Sequence, residues 1–346
     1  MVEEIKTFLA GNLNAPKHLD GEAVLNAIAV QQGILVERAE EVYSFSHLTL
    51  QEYLTAQYIA DNNLIEQLVT DHLSDERWRE VFLLVTGLVR SKNGADDLLL
   101  LMEKKAQKYI TNTPKLQGLL QWADAATKDS EGDFKPVGKR AAAMALAYAN
   151  AYAIANAKVY ANANAYAYAI AKAYANAYAK AIAKAYPIAK AYANAKAYAK
   201  VIALGNAKVI ALGNPLGNAI AKANAYAYAL TIALAEELKK IKIFKEVNWT
   251  ELIAQLRELE KQLPDSEQPK QIHLAFADRL SDTWCNALHL NPEIVKLSKE
   301  EAEAVGGYIY ANYLIIQCKE AAVRISAKTW EEIESRMLVV SENSTL

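Results

Sequence analysis

Apolar positions are sparse between residues 1 and 60, but their spacing is ordered. Gly11 is placed to close a first helix and Gly33 a second, and Asp20 is an N-cap for the segment carrying Val24, Leu25 and Ile28. Residues 34–38 and 42–46 are short β-branched or aromatic runs around the polar turn Ala39-Glu40-Glu41, a hairpin signal. In "YSFSHLTLQEYLTAQYIA", Thr49 and Glu52 have the spacing of a capping box, with Leu48 and Tyr53 at staple positions, so another helix follows. Helix, helix, two short strands and helix is the order of a winged helix with a small two-stranded wing.

From 61 to 126 the apolar period is helical throughout. Leu64, Leu68 and Val69, then Trp78, Val81, Phe82 and Val85, then Leu98, Leu101 and Met102 each fall on one face, predicting a helical extension packed on the winged helix. Residues 127–140, beginning TKDSEGDFKPVG, have linker composition. The pattern then changes. From 141 to 235 every odd position is Ala, Val, Gly, Pro or Thr, and nearly every even one is Tyr, Asn, Lys, Ile, Leu or Met. The odd-position exceptions all lie one base from an alanine codon, which points to expansion of a short DNA repeat and to low complexity.

Period two suits a strand, yet alanine is the best helix former, and on a helix the pattern alternates ridges of large side chains with alanine grooves. Helical rods interrupted at Pro187, Gly205, Gly213, Pro215 and Gly217 are the expectation, with silk-like strands or partial disorder as alternatives. Beyond it, residues 236–346 read as a C-terminal helical domain. Leu252, Leu256, Leu259 and Leu263 form a stripe behind Asn248, and Phe276, Leu280, Trp284 and Leu288 form another. Ser298 with Glu301, and Thr329 with Glu332, have capping-box spacing. The fold class is therefore mainly α, with domains at 1–60, 61–126, 141–235 and 236–346 and a linker at 127–140.

Composition adds little to this until it is divided. The 38 basic and 40 acidic residues nearly balance, but nine of the lysines and no acidic residue fall in 141–235, so the remainder is acidic. Two cysteines, Cys285 and Cys318, are too few for a disulfide framework and suit a reducing cytoplasm. The opening MVEEIKTFLAG is not a secretory signal, and no run reaches the roughly 18 apolar residues of a membrane span. No membrane partner is expected.

His47 is the first candidate for chemistry, because the capping-box spacing specifies the helix start without it. Helix N-termini offer free N–H groups and the positive end of the dipole, and a neutral imidazole beside one can donate a hydrogen bond to a phosphate. The competing reading is a histidine that ends a wing strand and bonds to backbone. Cys285 and His289 stand at i, i+4, but a structural zinc site wants four ligands and only five scattered histidines exist, so no metal is expected. A thiol catalyst pairing Cys318 with His289 has nothing in the sequence to join the two residues or lower the thiol pKa. The second helix of the winged helix lacks Lys and Arg and is a poor reader of DNA. The 141–235 segment interleaves twelve tyrosines with nine lysines, which supports an alternative function as a nucleic-acid or scaffold binder.

The stretch around His47 resembles the F-x-H-x-x-x-Q-E-[FY] signature of the winged helix in NACHT-type STAND NTPases, signalling and defence ATPases. Phe45, His47, Gln51, Glu52 and Tyr53 carry the resemblance, with Thr49 supporting it. It implies that His47 contacts the phosphates of bound ADP and holds the off state. "HLSDERWREVFLLVTGLV" and "GADDLLLLMEKKAQKYI" are similar to the same proteins downstream of the winged helix. The last domain resembles the NACHT C-terminal helical domains named for a cysteine and a histidine, which would make Cys318, in "YLIIQCKEAAVRIS", and His289 the family pair. No G-x-x-x-x-G-K-[ST] occurs in the chain, so the phosphate cradle, its lysine and the magnesium hydroxyl are missing. The chain is thus expected to be no enzyme by itself and to bind no cofactor alone. ADP or ATP would come with an upstream NACHT nucleotide-binding core, in cis or in trans. The C-terminal domain would receive an unknown ligand or effector protein.

Overall fold

The computed structural model describes residues 2–12, 20–39, 42–89, 93–159, 232, 235–236, 238–262, 264 and 268–340. The interruptions expected at Pro187, Gly205, Gly213, Pro215 and Gly217, and the strand or rod alternatives for 160–231, lie outside the described residues. Helix α1 spans Val2–Asn12, passing through Gly11, and α2 spans Gly21–Asn26. The Asp20 carboxylate caps α2, accepting from the amides of Glu22 and Ala23 at 3.0 and 3.3 Å. The helix widens into a π turn over Ala27–Gln31, and Gly33 leaves it at φ 63°, a conformation natural to glycine. Strands β1, Leu35–Ala39, and β2, Val42–Phe45, pair antiparallel in the register Leu35 to Phe45, with a bulge between Glu37 and Ala39. Helix α3, Leu48–Asp61, closes the winged helix.

The helical body begins with α4, Ile65–His72, and a 3₁₀ turn at Glu76–Trp78. It continues through α5, Arg79–Leu88, α6, Asp96–Asn112, α7, Pro114–Thr127, and α8, Pro136–Val159. Beyond the repeat come α9, Trp249–Glu260, α10, Lys270–Ala287, and the short α11, Pro292–Val295. Helix α12, Lys299–Ala321, and α13, Ala327–Arg336, complete it. The long α12 is the axis, packing against α5, α6, α7 and α8. Val305, Tyr308, Ile309, Ala311, Leu314, Ile315 and Cys318 are all buried along it, so it is apolar on several sides, as a central helix must be. Among the described residues, no helix is long and apolar enough to cross a membrane.

Two features show how the segments around the repeat are joined. Residues 126–134 are stitched to the far side of the repeat: the Gly132 amide donates to Lys242 O at 2.8 Å and the Lys245 amide to Ala126 O at 2.7 Å. Helix α8 then starts at Pro136, and residues 141–147, the first of the alternating pattern, are buried against α7, α10, α11 and α12. Their alanines allow close helix approach. At Gly306 of α12, an added Cβ would stand 2.9 Å from the Tyr148 hydroxyl. The repeat therefore enters from inside the helical core and not from its surface.

The end of the chain is clamped onto α6. Asp96 accepts from the Ser326 amide at 2.9 Å and from the Thr329 hydroxyl at 2.8 Å, while Glu103 pairs with Arg336 at 3.1 Å. Burial alone would raise the Asp96 carboxyl, but these hydrogen bonds outweigh it and hold it below the usual carboxylate range. Ser326, not Thr329, is the N-cap of α13, accepting from the Thr329 amide at 3.1 Å. The Ser298 and Glu301 capping box at the head of α12 is present as expected.

Candidate functional site

His47 is itself the N-cap residue of α3, with extended backbone at φ −131° and ψ 135°. The helix starts two residues earlier than a Thr49 cap would place it, because the His47 carbonyl already accepts from Leu50 N at 3.1 Å and Gln51 N at 3.4 Å. Thr49 and Glu52 consequently lie inside the first turns and form no capping box, and no side chain caps α3. An N-cap oxygen normally satisfies one of the orphan amides of the first turn. Imidazole here does not, so the first-turn amides of Leu48 and Thr49 find no partner within the helix.

The His47 side chain is exposed and makes no hydrogen bond among the described residues, to backbone or otherwise. Beside it, the Ser46 hydroxyl is buried without a partner, while the Ser46 amide donates to Ile34 O at 2.9 Å and fixes the exit of β2. Phe45 and Glu52 are half-buried; Thr49, Gln51 and Tyr53 are exposed. The structure thus gathers the motif around one helix entrance, with His47 at its tip. Leu48, 67% exposed, adjoins it, and Leu54 and Tyr58 continue an apolar surface down α3.

The cysteine and histidine candidates separate. Cys285 is buried in α10, where desolvation pushes its thiol up to about 11, against a weaker opposing contact with Ser281. His289 has left that helix: α10 ends at Ala287 and His289 sits in the following turn at φ 51°, exposed, so the two do not share a helical face. Cys318 is fully buried in α12, its thiol pushed up to about 12 by desolvation, which Thr86 and Arg79 only partly offset. A neutral, buried Cys318 and an exposed His289 make no contact in the structure, and neither thiol is primed as a nucleophile. Among the described residues no cluster of three or more His, Cys, Asp or Glu is placed to hold a metal ion.

Comparison with known families finds two partial matches. A family model described as a winged helix-turn-helix domain C-terminal to NACHT matches residues 12–59, and one described as NACHT C-terminal helical domain 2 matches residues 252–340. No curated protein and no solved structure matches the chain. The first match contains β1, β2 and most of α3 with His47; the second runs from α9 through α13. Over residues 12–59 and 252–340 the chain is therefore similar to domains found C-terminal to NACHT, consistent with the C-terminal portion of a NACHT-type protein.

Proposed function

We propose that the chain is the regulatory half of a NACHT signalling switch, in which the winged helix stabilises the ADP-bound off state of a nucleotide-binding core. The observation that carries this reading is His47: an unbonded, exposed imidazole at the head of α3, where the first-turn amides lack a capping side chain. A phosphate docked there would accept from the ring and lie at the positive end of the helix. The residues fit one edge of a nucleotide and no more, since the phosphate cradle must come from elsewhere. Apolar exposure supports the same reading. Of the nine large hydrophobic residues exposed among those described, seven lie between Phe8 and Tyr58, which is where a core would dock. The C-terminal domain then acts as the receiver, coupled through α3 and α5.

The test is to combine the full chain with a NACHT nucleotide-binding core and follow ADP release. His47→Ala removes about one hydrogen bond of ~0.5–1.5 kcal/mol, so release accelerates roughly two- to tenfold. Unchanged release with an intact complex removes the role assigned to His47.

A further inference from the structure

A cleft of about 260 Å³ opens where the end of α4, the last turns of α6 and the side of α12 converge. Its apolar wall is supplied by Leu73 and Ala304. Thr113 also lines it and is 6% exposed, yet its hydroxyl makes no hydrogen bond among the described residues. That is unusual, because Thr113 is the N-cap of α7 and a threonine there ordinarily gives its oxygen to a first-turn amide. A hydroxyl without a protein partner at the edge of a cleft is free to bond a ligand within the cleft.

The other polar groups indicate which partner. Lys105 and Lys108, one turn apart on α6, line the cleft, and among the described residues neither forms an ion pair. Elsewhere in the body Lys115, Lys135, Lys242 and Lys296 meet carboxylates, whereas the ammonium groups of Lys105 and Lys108 are left to meet an anion in the cleft. Ser74 and Tyr109 are also in the lining. Lysines act as point charges suited to phosphate, whereas planar carboxylates are better held by the arginine fork. Asp71 is the one acid in the lining. It disfavours a bare polyanion and favours a ligand that offers it a hydroxyl proton.

We propose that this cleft binds a small phosphomonoester carrying a free hydroxyl group, held by Lys105, Lys108 and Thr113 with Asp71 on the hydroxyl. Such a ligand would bridge α4 and α6 to α12, so it would tie the extension that follows the winged helix to the C-terminal domain. The site is remote from His47 in sequence and does not rest on the nucleotide reading of that residue.

The experiment titrates the full chain calorimetrically with glycerol 3-phosphate, inorganic phosphate and glycerol, and records thermal midpoints in parallel. Saturable binding of glycerol 3-phosphate with a raised midpoint is expected, weaker binding of inorganic phosphate, and none of glycerol. Lys105→Ala combined with Lys108→Ala, both surface changes, should weaken affinity at least tenfold with unchanged circular dichroism. Asp71→Asn should weaken glycerol 3-phosphate but leave inorganic phosphate unaltered. The proposal is overturned by the absence of saturable binding, by equal affinity in the double-lysine variant, or by glycerol 3-phosphate binding no tighter than inorganic phosphate.

Discussion

Among the described residues from 2 to 47 only Gly21 and Leu25 are buried, whereas α12 alone buries Val305, Ile309, Leu314, Ile315 and their neighbours over about four turns. Both regions have well-formed elements: Asp20 caps α2 as firmly as Ser298 caps α12. The difference lies in what those elements can bury. The winged helix has short pieces whose apolar side chains, Phe8, Val36 and Val42 among them, face solvent, and its packing on the body runs through α3 against α5. A module with so little interior has its local order set by caps and a hairpin, and its global stability by whatever it docks on. The body carries its own apolar core, and the winged helix leaves most of its apolar side chains outside one.

The comparison breaks most visibly at the body's centre. Trp284 is 1% exposed, and Trp284→Ala should lose about 3–5 kcal/mol and unfold α5 to α13 together in a denaturant titration. If only α9 and α10 melted, the body would be two units and the contrast would be misdrawn. Leu25→Ala, at 6% exposure, should cost about 2–3 kcal/mol, but confined to the winged helix. Hydrogen exchange reads this directly: amides of α2 and β1 lose protection while those of α6 and α7 keep theirs.

A smaller effect sharpens the body's side of the contrast. Asp96→Ala leaves the Ser326 amide and Thr329 hydroxyl without their acceptor, for about 1–3 kcal/mol. Its folded carboxyl lies below the unfolded value of about 3.9, so its contribution is present above that pH and lost as pH falls through the folded value. Acid unfolding of the body should accordingly be shallower in Asp96→Asn, while the winged helix shows no change.

What could be read from the sequence follows the range of each interaction. The caps at Asp20 and Ser298 were legible because donor and acceptor lie within three residues. The stripe of Phe276, Leu280, Trp284 and Leu288 was legible because its period matches the helix, and all four are buried. Thr329 failed as a cap because Asp96, far away in sequence, takes its hydroxyl and positions Ser326 in its place. His289 failed as a partner of Cys285 because the Leu290 amide turns back to Cys285 O at 2.8 Å and ends the helix before it. The cleft around Thr113 could not be read at all, since it exists only once α4, α6 and α12 meet. Of the motif at the winged helix, the sequence located the residues but misplaced the helix start by two positions, because the wing and the His47 carbonyl, not Thr49, begin α3.

That misplacement supplies the smallest and most discriminating prediction. An N-cap selected for stability would be Asp, Ser or Asn, and a histidine there gives up about 0.5–1 kcal/mol of helix stability. His47→Asp should therefore stabilise α3, through its oxygen on a first-turn amide and its charge at the positive end of the dipole, and raise the protection of the α3 amides. The same change puts a carboxylate where a phosphate is proposed to sit, so ADP retention with a nucleotide-binding core should fall below that of His47→Ala. Opposite signs for stability and retention are what a residue kept for ligand contact produces. A loss of stability in His47→Asp would mean instead that the ring holds the wing to the helix, and the exposed imidazole would no longer need a nucleotide to explain it.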